Sequence, residues 1–586
     1  MENTINELKN KANERLTELK KKSSLISVLR LISFVGGIPF LIAGISDKKG
    51  MYIFAGAYLL ITFFFLIYVH ACFNKMISHD ETYINVLDRY LNRLNGNWMQ
   101  ETDDGGEFLT QEDVLSRDID LLGKNSLYQY ISIAHTPKGR RRLADTLSLK
   151  TDNLSVRSER YKAVKELSLA DEFRYEFETR TMKNSKLLEA PEIVEEKFPG
   201  WMYPLMLIVP VINIVSLIMV FGYGYNPGLV LATFVAGLAI TWIPKGKLDV
   251  LSAPVYVYGK TAGDFYEILN EINKSEFQSG ILSELKNRVT GQKGILKAVK
   301  DMQRMGDFAA ISFNPIIHML LAGFIGWDFY LARSTVAWTA KNKDIFTNCE
   351  DIIAEFEELG SLAVLSAVRE TTEPEIIEDM KLGFDEIYHP LINREKVVSN
   401  SGNLDGHITI ITGSNMSGKT TFMRTIAVNA VLAYAGAGVC AKSFKLPIMK
   451  LFTSMRITDD VSSGISTFYA EILRIKRAAD YVEAGSEPPA LCLIDEIFKG
   501  TNSADRIVGA TEAVKKLSSG KCMVILTTHD FELCDIQEAD GRPADNYHFE
   551  EYYENDEILF DYKMKSGRCT TRNAIALLKM AGIVKN

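Results

Sequence analysis

Gly413-Ser414-Asn415-Met416-Ser417-Gly418-Lys419-Thr420-Thr421 follows directly on the apolar run Ile408-Thr-Ile-Ile-Thr412, and that junction decides how the chain is read. The spacing is a complete GxxxxGK[ST] phosphate loop. Its glycines let backbone N–H groups turn toward a polyphosphate, Lys419 reaches the β and γ oxygens, and Thr420 offers a hydroxyl to Mg²⁺. Residues Gly413 to Thr421 are therefore the expected phosphate-binding set, with ATP and Mg²⁺ as cofactors. Downstream, Leu491-Cys-Leu-Ile-Asp495-Glu496 is an apolar strand ending in two carboxylates. Asp495 is placed to share the Mg²⁺ with Thr420, and Glu496 to orient or deprotonate the attacking water. A buried strand ending in acids by chance is the bland alternative; the strand, loop and helix context speaks against it.

The chain of 586 residues has room for three or four domains. A formal net charge of −8 gives it no global electrostatic footprint for nucleic acid, so such contact needs a local basic surface. Its seven cysteines show no CxxC pair and no zinc-ligand grouping. Their odd number argues against a disulfide framework and fits a reduced setting for the soluble parts.

Four long apolar segments stand out. Leu31 to Ser46 and Met51 to Phe73 flank the short Asp47-Lys-Lys-Gly50, and Phe198 to Pro244 is uncharged, broken near Gly222-Tyr-Gly-Tyr-Asn-Pro227. About 20 apolar residues cross a bilayer, so the pattern predicts two transmembrane hairpins. The first span reaches full length only with Arg30 included, its side chain snorkelling toward the headgroups beside Lys20-Lys21-Lys22. Basic residues before the first span (Lys9, Lys11, Arg15, Lys20, Lys21, Lys22) and after the fourth (Lys245, Lys247) put both soluble regions in the cytoplasm. The expected location is the cell membrane, multi-pass, with membrane lipid as a partner. A further uncharged stretch between Asp307 and Asp328 is expected to be a buried helix with Pro315 near its start, because one more crossing would separate the phosphate loop from the basic region 286–304.

The resulting organisation is a basic tail at 1–23, a first hairpin at 24–73, a connector at 74–112, a helical core in two parts at 113–197 and 246–384 around a second hairpin at 198–245, and an α/β nucleotide domain at 385–586. Glu373-Pro374 and His389-Pro390 bracket a connector, and from about 405 strands alternate with helices, implying a mainly parallel sheet with nucleotide at its strand carboxyl ends. Residues 546–553 and 557–564 suggest a strand pair around Asn555-Asp556.

The phosphate loop with its tail to Arg424 resembles that of the MutS ATPases, as do Asp459-Asp460-Val-Ser-Ser-Gly-Ile-Ser466-Thr467-Phe468-Tyr-Ala-Glu471, Asp495-Glu496-Ile-Phe-Lys-Gly500-Thr501-Asn502, Thr527-Thr528-His529 and Tyr562-Lys563-Met-Lys-Ser-Gly567. Thr136-Pro137-Lys-Gly139-Arg140 is similar to the start of that family's core, and His389-Pro390-Leu391 to the entry of its nucleotide domain. The fold class so implied is multidomain: an α-helical core plus an α/β P-loop ATPase domain (ABC/MutS type), with two transmembrane helical hairpins. The resemblance implies a homodimer with nucleotide sandwiched between two ATPase domains, Ser466 approaching the partner's γ-phosphate, and His529 sensing or polarising that phosphate. Glu496, His529 and Ser466 are thus the expected catalytic residues. Double-stranded DNA is the implied partner class.

There are departures. The family's Gly-Arg-Ser-Thr is Gly464-Ile465-Ser466-Thr467 here, and its Gly-Arg-Gly-Thr is Phe498-Lys499-Gly500-Thr501; lysine and arginine donate differently. No Phe-x-Glu wedge occurs at Glu107-Phe108-Leu109-Thr110, so mismatch recognition itself has no support. The leading expectation is a membrane-anchored MutS-like ATPase that couples ATP binding and hydrolysis to movement of a helical core, with DNA binding of the mismatch-repair family type. Alternatives are a transport-related ATPase, which lacks its Leu-Ser-Gly-Gly signature here, and a nucleotide-switched membrane scaffold. For DNA, the sequence contributes Arg140-Arg141-Arg142 and scattered lysines, a cluster that is more often a solvated or lipid-facing surface.

Overall fold

The structure is a computed structural model that describes residues 1–47, 49–151, 154–184, 196–291, 294–414, 416–456, 467–498, 502–538, 541–554 and 557–569. In chain order its helices are α1 (Glu2–Ser46), α2 (Gly50–Leu94), α3 (Val114–Asp118), α4 (Leu127–Ile131), α5 (Pro137–Leu147), α6 (Arg157–Leu169), α7 (Asp171–Asn184), α8 (Met202–Tyr223), α9 (Gly228–Trp242), α10 (Lys245–Lys274), α11 (Gly280–Thr290), α12 (Ile295–Ala309), α13 (Pro315–Ile325), α14 (Trp327–Thr339), α15 (Ile345–Val368), α16 (Lys419–Ala435), α17 (Thr467–Glu483) and α18 (Ser503–Ser518). The strands are β1 (Glu375–Ile376), β2 (Leu382–Ile387), β3 (Asn400–Leu404), β4 (Ile408–Thr412), β5 (Ser443–Leu446), β6 (Lys450–Ser454), β7 (Ala490–Asp495), β8 (Cys522–Thr528), β9 (Asp545–His548), β10 (Glu551–Glu554), β11 (Glu557–Phe560) and β12 (Lys565–Ser566). Two units interleave along the chain. One takes 1–88, 134–139 and 171–357, the other 89–133, 140–170 and 358–586.

In the first unit α1 and α2 run antiparallel. Lys9 pairs with Asp88 at 2.5 Å, Ser27 Oγ meets His70 Nε2 at 3.0 Å, and a Cβ on Gly44 would strike the backbone nitrogen of Ile53 at 2.6 Å. Small residues thus let two long helices approach closely near the turn, while ion pairs such as Arg15–Asp80 and Lys20–Glu81 hold the open end. Between these ends the side chains are apolar and exposed, Leu31 at 63% and Phe54 at 76% among them. By length and composition α1, α2 and α8 are each able to cross a membrane, whereas α9 has 15 residues and meets α10 at a 72° bend. Helix α2 continues to Leu94, so the first half of 74–112 is helical.

Helices α10 and α12 pack antiparallel through Gly259 and Gly306, each so close that a Cβ on either would lie 2.7 Å from the other's Cα. A buried cluster of Met202, Met206, Leu248, Leu251, Phe329 and Ala332 joins α8, α10 and α14. The stretch expected as a buried helix is different. It forms α13, 11 residues capped by Asn314, which bends 107° from the helix before it and exposes Ile316 (68%), Met319 (47%) and Leu320 (44%). Pro315 does sit at its start, where a missing N–H is harmless.

The second unit holds a six-stranded sheet in the order β12-β9-β4-β8-β7-β6, parallel except where β12 meets β9. Strands β4, β7 and β8 are buried at every position, as a sheet covered on both faces requires. The expected connector after Glu373-Pro374 instead supplies strands to a four-stranded mixed sheet, β1-β5-β2-β3. The expected strand pair is also redistributed: β9 joins the large sheet, and the hairpin is β10 with β11, Glu551 opposite Phe560.

Candidate functional site

Strand β4 ends in the middle of the large sheet, and the loop after it must reverse into α16 within a few residues. Gly413 has φ +144° and a Cβ there would lie 2.3 Å from the carbonyl of Phe549; Gly418 has φ +111°. Neither position accepts a side chain without strain. Met416 also has positive φ and is 84% exposed, so the crest of the loop faces outward.

Lys419 opens α16 and is buried, its Nζ donating to the carbonyls of Gly413 and Ser414, both at 2.7 Å. Burial pulls its pKa below the usual lysine value, against the opposing charges of Glu496 and Asp495. Thr420 Oγ1 donates to Asp495, 3.0 Å from each carboxylate oxygen, and Thr527 Oγ1 donates to Oδ1 at 2.6 Å. The phosphate loop and the end of β7 are thus joined through the hydroxyl and the carboxylate the sequence assigns to Mg²⁺. Glu496 has φ +53°, and its backbone N–H donates to the Thr527 carbonyl at 3.0 Å. Its Oε1 lies 2.9 Å from Nε2 of His529, the residue after β8. Arg506 clamps the neighbouring Asp530 through two bonds of 2.7 and 2.8 Å.

Hard oxygen donors at Thr420 and Asp495, with a lysine beside them, suit a magnesium ion that keeps waters and phosphate oxygens as its other ligands. Among the described residues no cluster of three or more His, Cys, Asp or Glu offers a separate metal site. Thr421 and Gly418 face a cleft of about 590 Å³ also lined by Phe422, Phe549, Tyr562 and Val398. His389 lines it too, held near pKa 4 by burial and then by Arg424 and Arg369, hence as a neutral ring. Lys396, Asn400 and Thr425 add polar groups to the aromatic lining of this cleft beside the loop.

Ser466 and Asn415 lie outside the described residues, as do 459–465 and 499–501. Ser414, Ser417 and the other expected loop residues come together; Ser414 Oγ donates to Glu551 at 2.7 Å and Ser417 Oγ to the Ser414 carbonyl at 2.9 Å. Sequence reasoning gave Thr527 and Glu471 no role of their own, though both stood in the quoted motifs. Glu471 is buried and accepts from the Phe498 N–H at 2.7 Å, tying α17 to the segment after the acidic pair. Arg424 pairs with Asp120 at 3.3 Å, beside Arg456. Of Arg140-Arg141-Arg142, Arg140 chelates Asp103, with Nε at 2.8 Å and Nη2 at 2.6 Å, and also meets Glu107, Arg142 bonds Glu358, and Arg141 stands over Phe108.

The second unit is therefore an α/β domain of the class that sets a glycine-rich loop at a strand–helix junction opposite an acidic strand end. Residues 409–586 match the family described as MutS domain V. The chain is 35% identical over 221 residues to the DNA mismatch repair protein MutS of Leptospira interrogans, covering 36% of this chain and 25% of that protein. It is 30% identical over 262 residues to the protein of that name from Aquifex pyrophilus (44% and 30%), and 31% over 242 residues to that of Listeria welshimeri (40% and 28%). The similarity to MutS domain V and to these mismatch repair proteins lies in the C-terminal part of the chain. The matched region spans between a quarter and a third of the length of these relatives.

Proposed function

We propose that this protein is a membrane-anchored MutS-like ATPase in which ATP binding and hydrolysis move a helical core. The observation that carries the reading is the meeting of Lys419, Thr420, Asp495, Glu496 and His529 at the carboxyl ends of β4, β7 and β8. Thr420 and Asp495 would hold Mg²⁺, which supplies charge neutralisation for the polyphosphate. Lys419 exchanges its loop carbonyls for phosphate oxygens, Glu496 takes the proton of the attacking water, and His529 holds the Glu496 carboxylate in place. Ser466 of a second copy completes the pocket across a homodimer. Phosphate release assays on the purified chain test this: magnesium-dependent turnover that falls on replacing Ser466 supports it, and full turnover by the Ser466→Ala protein removes the shared pocket.

The membrane part of the reading rests on α1, α2 and α8, whose length and apolar surface suit a bilayer, and on the basic residues flanking them. Both soluble regions then face the cytoplasm. For DNA, the relatives' shared name is the support, and duplex DNA is the proposed partner of the core. The arginine cluster at 140–142 is an unsuitable seat, because Arg140 and Arg142 are already neutralised within the protein. A gel shift of duplex DNA that weakens with salt supports this partner; no shift at low salt removes it.

A further inference from the structure

Helix α13 is too short to cross a bilayer and too apolar to face water. Its 11 residues extend only about 16 Å. No formal charge lies between Asp307 and Asp328, yet Phe308 (56%), Phe313 (75%) and Ile316 (68%) are exposed along with Met319 and Leu320. Large apolar side chains exposed along so short a stretch mark an apolar partner rather than solvent. The two ends of the excursion are close together, because Trp327 Nε1 donates to Ser312 Oγ at 3.2 Å. The chain therefore goes out and comes back beside itself.

What α13 packs on identifies the partner. A Cβ on Gly237 of α9 would lie 2.0 Å from the carbonyl oxygen of Gly323, so the two backbones touch. Asn213, midway along α8 and 2% exposed, donates to the carbonyls of Gly323 at 3.0 Å and Phe324 at 3.4 Å. Thr241 of α9 donates at 3.1 Å to the Ala322 carbonyl, which also accepts from the Gly326 N–H, so the uncapped carbonyls are those of Gly323 and Phe324 that Asn213 meets. The last turn of a helix leaves carbonyls without intrahelical donors. In water they would be solvated, whereas in hydrocarbon they need protein donors, and polar side chains on an apolar helix are costly unless they serve such a need. The cleft of about 510 Å³ between α8, α9 and α13 is lined only by apolar residues, including Leu217, Phe221, Leu231, Phe234, Leu320 and Phe324.

We propose that residues 308–326 are a re-entrant segment embedded in the bilayer, entering and leaving on the side of the nucleotide domain, with acyl chains as the occupant of the exposed face of α13 and of this cleft. The proposal rests on the membrane reading of α8 and α9 and adds a third lipid-embedded helix to them. It also joins the second hairpin directly to α12 and α14, so that a shift of those helices would be felt inside the membrane.

The test uses the full chain in the Cys72→Ser background, since the other cysteines are buried. A bimane label is placed at Met319→Cys, at Ile214→Cys on α8, or at Ser519→Cys on the nucleotide domain, and the protein is reconstituted into phosphatidylcholine vesicles with brominated acyl chains. Loss of emission at both 319 and 214, with none at 519, supports the proposal. Quenching at 214 without quenching at 319 overturns it while leaving the membrane reading intact, and quenching at neither overturns both. In sealed vesicles, Arg304→Cys and Lys341→Cys should react with an impermeant maleimide from the same side as Ser519→Cys; reaction from opposite sides overturns the re-entrant path.

Discussion

Nε2 of His529 lies 2.9 Å from Oε1 of Glu496, and the carboxylate comes from the turn after β7 while the ring comes from the turn after β8. Two neighbouring parallel strands thus deliver the proposed base and its proposed positioning partner to one point. Glu496→Gln keeps a hydrogen-bonding side chain but cannot accept a proton. It is expected to retain ATP while kcat falls roughly 10²-fold or more. His529→Ala should lose less, because the carboxylate remains. Filter binding and phosphate release measured side by side check this, and an unchanged kcat in Glu496→Gln would remove its role as base.

Lys419 is the proposed counterpart on the phosphate side. Its ammonium is buried against two loop carbonyls and its pKa is lowered chiefly by that burial. Lys419→Ala is expected to weaken ATP binding by roughly 1.5–3 kcal/mol for each charged contact removed, with the melting temperature of the nucleotide-free protein unchanged or higher. Titration with a fluorescent ATP analogue reads the first effect and thermal unfolding the second. Undiminished binding would contradict the assignment of the loop.

Glu357 gives the first unit a pH dependence. It is fully buried, accepts from the N–H groups of His135 (2.8 Å) and Thr136 (3.1 Å) and from the Thr136 hydroxyl, and burial raises its pKa from 4.5 to about 7. Because the folded value lies above the unfolded one, the native state holds the proton more tightly. The contribution is complete below about pH 4.5 and is lost as pH rises toward 7, about 3 kcal/mol in all. Thermal unfolding in detergent across pH 4.5–7.5 should fall more steeply for the wild type than for Glu357→Gln. Parallel curves would contradict it.

In the second unit Glu358, the next residue, has the opposite behaviour. Burial opposes its charge, but Arg160 and Arg142 outweigh burial and hold its pKa below the usual value. Arg160 Nη2 and Arg142 Nε each lie 2.5 Å from it, and Thr146 Oγ1 donates at 2.6 Å. Arg160→Leu removes one of two cationic partners, leaving Arg142 and Thr146 on the carboxylate, and is expected to cost about 1.5–3 kcal/mol. Adding Glu358→Leu should recover part of that loss, as chemical denaturation of the single and double variants would reveal. A double variant no more stable than the single one would contradict the pairing.

The sequence made the phosphate loop and the acidic strand end legible because both depend on short spacings that backbone geometry enforces. It made the four-stranded sheet illegible for a local reason. Strand β2 contains a bulge between Phe384 and Ile387, with Glu386 at φ +50°, which breaks the two-residue alternation, and β3 reads Asn-Ser-Gly-Asn-Leu, with little strand propensity. The exposure of α13 was illegible because counting crossings separates a span from a buried helix but leaves out a short helix that does neither, with Ile316 and Met319 on its exposed face. Contacts such as Ser414 with Glu551, far apart in the chain, leave no local trace.

The most direct measurement is ATP hydrolysis by the purified chain reconstituted into liposomes and floated on a density gradient. The account predicts that activity travels with the vesicles, needs Mg²⁺, and disappears in Glu496→Gln while bound ATP remains. Failure to retain or split ATP with Mg²⁺ present, or activity that stays behind as the vesicles float, would contradict it.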